Sequence, residues 1–293
     1  MTRAGFVALA GRPNVGKSTF LNSAVGTKVA IVSDRPQTTR RAVRGVWSSA
    51  QTQIVFVDLP GVQRPRDLLT ERMASTVQAE FGGADAALLM LNGEQGVGPG
   101  DRFIGQTLAR AAVPVTIAVN KVDRLGRVQA ADALLAAEAL APGCEVFPLS
   151  ARRGTGLMPM LEHLASLMPE GPFLYSPQEH SDQPLDVLLA ELIREAAIRR
   201  TFDELPHAVE VAVEEVQRVR DGLVRVSALI WVETESQKRI VVGSGGRMVK
   251  AIGVAARREI ERELDCHAHL DLTVRVKRDW RGEAALLDRL GIG

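Results

Sequence analysis

The 293-residue sequence predicts an α/β domain with a mostly parallel sheet, followed by an α+β domain. Three observations support this organisation. Short apolar runs alternate with helical patterns over residues 5–167, a proline-rich segment follows, and a different order of helices and strands begins near residue 185. The predicted boundaries are residues 1–170 for the first domain, 171–183 for a linker and 184–293 for the second domain.

The apolar runs of the first domain have the length of buried strands. They lie at residues 6–10, 54–57, 86–91, 113–119 and 146–149. Strand followed by helix, repeated, indicates a parallel sheet that is covered on both faces. Residues 43–47 and 53–57 flank a short serine-rich turn, so they predict one antiparallel hairpin within this sheet.

Four prolines then interrupt the chain, at positions 169, 172, 177 and 184. Proline disfavours the interior of helices and strands, so this segment predicts a linker. Beyond it, the apolar spacing predicts a helix over 185–201, strands over 207–216 and 223–232, a helix over 247–264 and a strand over 269–276.

The composition indicates a globular protein without an overall charge bias. Its 36 basic residues nearly balance 35 acidic ones, so any site for a polyanion must be local. No apolar stretch approaches the length of a membrane span or matches a signal peptide, which predicts a cytoplasmic protein. Cys144 and Cys266 lack zinc-site spacing and predict two buried free thiols.

Residues 11–18, GRPNVGKS, match the G-x-x-x-x-G-K-[ST] phosphate loop and lie between a predicted strand and a predicted helix. Backbone N–H groups of such a loop surround phosphate oxygens at a helix N-terminus. Lys17 would neutralise the β- and γ-phosphates, and Ser18 would coordinate Mg²⁺. The match alone is also compatible with a glycine-rich turn that bears a surface lysine. The candidate binding residues are Asn14, Val15, Gly16, Lys17, Ser18 and Thr19.

A second motif, DLPG at residues 58–61, follows the predicted strand 54–57. Asp58 would hold a water molecule on Mg²⁺, and the Gly61 N–H would lie near the γ-phosphate. By itself this motif is more often a plain loop.

Two further motifs select the base. NKVD at residues 120–123 supplies Asn120, Lys121 and Asp123, and Asp123 would accept hydrogen bonds from the N1–H and N2–H₂ groups of guanine. Adenine lacks this donor pair, so it would leave a desolvated carboxylate unpaired. Ser150 and Ala151 end the next strand, where a backbone N–H could donate to guanine O6. Four motifs in this order at strand ends predict a site for GTP and GDP.

At these residues the sequence resembles the translation-factor-like small GTPases, and QTTR at residues 37–40 makes it similar to the Era family. The resemblance covers residues 5–290 and implies a Ras-like P-loop GTPase domain followed by a type II KH domain, which binds RNA. It also implies that Thr39 binds Mg²⁺ with Ser18 and Asp58, and that Thr39 and Lys17 take part in hydrolysis. Without the other motifs, the segment around Thr39 would be interpreted as a polar surface loop.

The means of hydrolysis is less evident. Val62 stands where Ras-like proteins have the glutamine that orients the attacking water. The resemblance implies that Asn14 holds a K⁺ ion that bridges the phosphates, whereas asparagine also stabilises tight turns. Slow intrinsic turnover is expected in either case.

In the second domain, residues 243–246 match the G-x-x-G loop of a KH domain. Seven basic and two acidic residues give residues 236–262 a local charge of +5, which suits an RNA backbone, although a solvated basic helix face is the alternative. Gly245 stands where the family usually has lysine, so Arg247 or Lys250 would substitute. The candidate RNA-binding residues are Lys238, Gly243, Ser244, Gly245, Gly246, Arg247, Lys250 and Arg257.

Three apolar residues near this loop allow two interpretations each. Ile240, Val242 and Ile252 are either walls of a base-binding groove or core residues. The β-branched run 240–242 favours a strand, whereas the resemblance implies a short helix over 237–242, and we expect the helix.

The resemblance implies binding to the 3′ end of 16S rRNA and a role in maturation of the 30S ribosomal subunit, as a monomer. It leaves open a peripheral contact with the inner membrane. One alternative is a metabolic phosphotransferase, for which Asn120 and Asp123 would have no purpose. Another is an RNA-binding scaffold that holds nucleotide without turnover, which Val62 allows.

Overall fold

The computed structural model describes residues 1–33, 38–61, 66–110, 113–201 and 205–292. The chain folds into two compact units. Unit 1 comprises Met1–Ala30, Thr39–Arg66 and Thr70–Asp182, and unit 2 comprises Ile31–Thr38, Asp67–Leu69 and Gln183–Gly293. In the described ranges, no helix is both long enough and apolar enough to cross a membrane.

Unit 1 contains a six-stranded sheet. Its strands are β1 (Arg3–Ala10), β2 (Val43–Ser48), β3 (Thr52–Asp58), β4 (Ala86–Asn92), β5 (Val115–Asn120) and β6 (Val146–Leu149). The spatial order is β2-β3-β1-β4-β5-β6, and every neighbouring pair is parallel except β2 with β3. The predicted sheet with one antiparallel hairpin is therefore confirmed.

Four helices connect these strands and a fifth follows β6: α1 (Lys17–Val25), α2 (Leu68–Gly82), α3 (Pro99–Arg110), α4 (Arg127–Leu140) and α5 (Leu157–Leu167). Val7 and Leu9 of β1 enter one hydrophobic core, while Ala8 and Ala10 enter a second core. Successive side chains of a strand point to opposite faces of the sheet, so each face carries its own core. This explains why the strand sequences are continuously apolar.

The proline-rich segment that follows α5 forms no helix and only a single isolated bridge. It is nevertheless fixed to the β2–β3 hairpin. Gln53, which is fully buried, accepts hydrogen bonds from the backbone N–H groups of Leu174 (2.8 Å) and Tyr175 (2.9 Å). The backbone N–H of Val46 donates to the His180 carbonyl at 2.9 Å. The segment predicted as a linker is thus held along the edge of unit 1.

Apart from two additional short helices, unit 2 has the predicted order of helix, strand, strand, helix, helix and strand. Its elements are α6 (Leu185–Ile198), α7 (Leu205–Ala208), β7 (Glu210–Arg220), β8 (Leu223–Val232), α8 (Glu235–Val242), α9 (Arg247–Leu264), β9 (His267–Val276) and α10 (Ala284–Arg289). The sheet order is β7-β8-β9, with β7 antiparallel and β9 parallel to β8. Helices α6 and α9 pack on this sheet and on each other.

Two details of unit 2 differ from the sequence prediction. The strand predicted over 207–216 begins only at Glu210, because α7 precedes it, and α10 was not predicted. Residues 240–242 end α8, so the expected helix forms in spite of the β-branching that favours a strand. The cause is a capping box, in which Thr234 Oγ1 accepts from Gln237 N (3.2 Å) and Gln237 Oε1 accepts from Thr234 N (3.1 Å).

One of the three tryptophans lies in unit 1 and the other two lie in unit 2. Trp280 is fully buried after β9, and its Nε1 donates to the Ala208 carbonyl at 3.1 Å. Trp231 is also buried in unit 2, whereas Trp47 packs half-buried against the core of unit 1. Cys144 and Cys266 are free, as predicted, but only partly buried.

Candidate functional site

The phosphate loop connects β1 to α1 at the carboxyl edge of the parallel sheet. Gly16 adopts φ of 104°, and a Cβ at this position would lie 2.3 Å from Asn120 Nδ2. Asn14 also has a positive φ, of 63°, and is exposed. The backbone therefore curves so tightly that glycine is required at position 16.

Lys17 is buried beneath this loop, and its Nζ donates to the Gly11 carbonyl at 3.1 Å. Burial lowers the pKa of Lys17, while the negative charge of Asp58 acts to raise it. A phosphate group in the loop would supply the countercharge that a buried ammonium needs.

Three oxygen-bearing side chains meet beside the phosphate loop. Asp58 Oδ2 accepts hydrogen bonds from Ser18 Oγ at 2.5 Å and from Thr39 Oγ1 at 3.3 Å, and the two hydroxyl oxygens are 3.2 Å apart. Asp58 is fully buried, and its Oδ1 has no hydrogen-bond partner within the described ranges. Burial raises the pKa of Asp58, against the opposing effect of Lys17. An oxygen set with an unpaired buried carboxylate oxygen fits Mg²⁺, which would stabilise the ionised form.

Gly61 lies against the same loop, since a Cβ on Gly61 would come within 2.9 Å of Pro13 Cγ. Val15 is fully buried, and Thr19 follows Ser18 on α1, half-buried. Gln37 and Val62, which entered the sequence argument, lie outside the described residues.

Asn120 joins two parts of the site. Its Nδ2 donates to the Val15 carbonyl at 2.8 Å, and its Oδ1 accepts from the Ala151 N–H at 2.9 Å. The side chain is buried at the end of β5. The Ala151 N–H is therefore engaged, and it would have to be shared before it could donate to guanine O6. Sequence motifs place Asn120 in the site but do not reveal this bridge.

Asp123 has the environment of an ionised acceptor. Ser150 Oγ donates to its Oδ1 at 2.7 Å, and Arg153 Nε lies 3.5 Å from its Oδ2. The Ser150 hydrogen bond is the main cause that lowers the pKa of Asp123 below its ordinary value, and the nearby arginines add to it. Lys121 precedes this turn with φ of 66°. A carboxylate held in this state can pair with two donors of one base.

In unit 2, the G-x-x-G loop joins α8 to α9. Gly243 adopts φ of 72°, and a Cβ on it would lie 2.7 Å from Met248 Cβ, so only glycine fits. Gly245 and Gly246 face open space, and Ser244 is exposed. Arg247 Nε donates back to the Ser244 carbonyl at 3.2 Å. The loop thus presents bare backbone at the N-terminus of a long helix.

A groove of about 310 Å³ runs between α9 and β9. Its walls are apolar at Val249, Val254, Leu270 and Leu272, and Lys250 and Arg257 add positive charge. The groove residues on α9 recur three or four positions apart, and this helical spacing in the sequence places them on one face of the helix.

The sequence analysis considered other residues as the apolar walls of a base-binding groove. Ile252 is fully buried in the core of unit 2, so the core interpretation is right for this residue. Ile240 and Val242 are not among the residues that line the described groove. Of the candidate RNA-binding side chains, Lys250 and Arg257 line it, whereas Lys238 lies on α8 and Arg247 at the start of α9.

Family profiles match both units. Residues 6–121 match the family described as 50S ribosome-binding GTPase, and residues 204–281 match the KH domain. The fold and its strand-end loops therefore define a GTPase that carries a KH domain. GTPase Era of Mycobacterium sp. (strain KMS) is 43% identical over 99% of this chain and 98% of its own length. The chain belongs to the Era family of GTPases.

Further members of the Era family match this chain over nearly its full length. GTPase Era of Carboxydothermus hydrogenoformans is 42% identical over 99% of this chain and 97% of its own. The crystal structure of an Aquifex aeolicus Era variant bound to GDP and AlF₄⁻ is 33% identical, with a TM-score of 0.96 and full coverage of both chains. Era solved with MgGDPNP and nucleotides 1506–1542 of 16S ribosomal RNA is 32% identical, with the same TM-score and coverage.

Proposed function

We propose that this GTPase binds GTP or GDP with Mg²⁺ in unit 1 and binds the single-stranded 3′ end of 16S rRNA in unit 2, and thereby assists maturation of the 30S subunit. The groove between α9 and β9 carries this proposal, because it combines apolar walls with two basic side chains directly after a G-x-x-G loop. A solved relative that binds MgGDPNP and a 16S rRNA fragment supports it.

The proposed nucleotide contacts follow the geometry of the loops. Lys17 and the backbone of the phosphate loop hold the phosphates, with Gly61 on the γ-phosphate side. Ser18, Thr39 and Asp58 hold Mg²⁺, which neutralises phosphate charge when bound. Asp123 accepts from the guanine edge, supported by Asn120, Lys121, Ser150 and Ala151.

For hydrolysis, we assign stabilisation of the phosphate charge to Lys17 and binding of Mg²⁺ in the presence of GTP to Thr39. We further propose that Asn14 holds K⁺ beside the phosphates, because it is exposed at the turn of the loop and can offer an amide oxygen. We expect slow intrinsic turnover.

In unit 2, the proposed RNA path begins at Gly243, Ser244, Gly245 and Gly246, where the bare backbone admits close approach of the RNA. Lys250 and Arg257 then pair with phosphates, while the apolar walls hold bases. Lys238 and Arg247 contribute longer-range positive charge.

The test changes the loop in the full chain. Gly245→Asp with Gly246→Asp places two negative charges against the RNA backbone, so affinity for single-stranded RNA of the 16S 3′ end should fall at least about tenfold, or about 1.4 kcal/mol. GTP affinity should not change. Gly222→Asp is the matched control, because Gly222 also has a positive φ and open surroundings but lies in the β7–β8 turn.

Salt dependence provides a second measurement in the same experiment. Lys250→Ala should reduce the salt slope of RNA binding by about one unit. Lys277→Ala, outside the groove and paired with Glu283 at 2.6 Å, should leave the slope unchanged. Unaltered RNA binding in the double aspartate variant would contradict the groove assignment. GTP turnover with and without the RNA separates this function from a phosphotransferase and from a non-hydrolysing scaffold.

We also propose a cytoplasmic monomer, with module boundaries at 1–170, 171–183 and 184–293. The change from unit 1 to unit 2 between Asp182 and Gln183 supports the start of the second module. The alternative location is the inner membrane, through a peripheral contact. Fractionation of cells with antibody detection distinguishes the cytoplasmic from the membrane-bound protein.

A further inference from the structure

A glycine-rich segment between β4 and α3 has no role in the sites described so far. Residues 92–101, NGEQGVGPGD, contain glycines at positions 93, 96, 98 and 100 and end in Asp101 within the first turn of α3. We refer to residues 92–101 as the brace segment. Two of these glycines, Gly98 and Gly100, lie against the phosphate loop.

The side chain of Arg12 in the phosphate loop occupies the space beside Gly98 and Gly100. Arg12 Nη2 donates to the Gly96 carbonyl at 3.2 Å, and Nε lies 2.8 Å from Asp101 Oδ2. A Cβ on Gly100 would lie 2.9 Å from Arg12 Cδ, so any larger residue would displace the arginine.

Asp101 places a buried negative charge beside Arg12. Its side chain is fully buried, and its Oδ2 also accepts the Gly98 N–H at 2.8 Å. Within the described ranges, Arg12 is the cation that pairs with it. A buried carboxylate without a partner is costly, so the pair holds Arg12 in one conformation.

The other end of the brace segment contacts the base-binding loop. Gly93 N donates to the Asn120 carbonyl at 2.9 Å. Glu94 Oε2 lies 3.2 Å from Arg124 Nη1 and 3.9 Å from Lys121 Nζ. One segment therefore touches the loop that would hold phosphates and the loop that would hold guanine.

We propose that Arg12 is a positioning residue for GTP hydrolysis, and that it acts through the brace segment to hold the phosphate loop. Pro13 follows Arg12 and packs on Gly61, and Asn14 comes next in the chain. A bound phosphate can draw a loosened loop into place in the ground state, whereas the transition state needs donors that are already oriented. Loss of the brace therefore lowers kcat more than it raises KM. This inference rests on the GTPase activity.

The sharpest test leaves every charge in place. Gly100→Ala puts a methyl group against Arg12, while Gly105→Ala in the same helix meets only ordinary contacts, at 3.7 Å from Leu140. We expect kcat for GTP hydrolysis to fall about tenfold in Gly100→Ala, with KM changed less than about threefold. Gly105→Ala should match the wild type.

Charge variants check the same contact. Arg12→Ala and Asp101→Asn should each lower kcat, the double variant should lose less than the two losses combined, and Arg12→Lys should recover part of the rate. Glu80→Gln, which removes an ion pair with Arg44 elsewhere in unit 1, is the control for general destabilisation. Thermal melting accompanies each variant.

Wild-type kcat in both Gly100→Ala and Arg12→Ala would overturn the positioning role. A rise in KM at unchanged kcat would also overturn it, because the brace would then serve binding alone. Wild-type protein without any GTP turnover would instead contradict the GTPase activity itself.

Discussion

At the scale of single residues, we expect Asp123 to determine which base the site accepts. Its pKa is lowered, so the carboxylate stays ionised at neutral pH and loses its charge only when the pH falls below the ordinary carboxyl range. Asp123→Asn replaces one acceptor oxygen by a donor and should shift preference from GTP to XTP. Competition binding with the two nucleotides measures the shift.

Asp132→Asn, on the exposed surface of α4, is the control for this experiment. The assignment is wrong if Asp123→Asn keeps wild-type affinity for GTP and still rejects XTP.

The two roles considered for Asn14, K⁺ binding and stabilisation of a turn, can be separated by substitution. With φ of 63°, it adopts a conformation that glycine also takes readily. Replacing K⁺ by Na⁺ should lower GTP turnover of the wild type, and both Asn14→Ala and Asn14→Gly should abolish the difference. If Asn14 only stabilised the turn, Asn14→Gly would instead keep the wild-type rate of GTP turnover in both salts. Equal wild-type rates in matched KCl and NaCl would leave Asn14 with the turn role only.

At the scale of elements, the strands and motifs could be predicted because their signals are local. The continuous apolar runs of β1, β3 and β4 reflect burial on both faces, and the motifs at their ends have fixed spacing. The start of α8 could also be predicted from the sequence, because Thr234 and Gln237 form a recognisable capping box. The helix expected over 237–242 agrees with this signal, whereas β-branching alone favours a strand.

Other features depend on contacts between distant residues, which a single sequence does not reveal. The bond from Asn120 to Val15 spans 105 positions, and the pairing of Arg12 with Asp101 crosses between separate loops. The walls of the groove come from one face of α9 and from β9, so Ile252 could not be assigned to core or groove before these elements were packed. The roles of the site residues themselves stay predictions.

At the scale of the whole molecule, the hydrophobic cores of unit 1 and the core of unit 2 are drawn from different stretches of chain. The hydrophobic cluster of unit 2 uses residues 189–276. We therefore expect residues 181–293, expressed alone, to fold and to bind single-stranded 16S rRNA 3′-end sequence at low salt. Circular dichroism checks folding, and titration with labelled RNA checks binding. A folded fragment that binds no RNA would contradict the KH function of this module.

The placement of the tryptophans gives each unit its own optical reporter. The chain has three, and the fully buried Trp280 donates to a backbone carbonyl within unit 2, whereas Trp47 belongs to unit 1. A buried indole fluoresces at shorter wavelength than one in water. In a Trp47→Phe protein all remaining tryptophan emission comes from unit 2, so its unfolding can be followed in the intact chain without any attached dye.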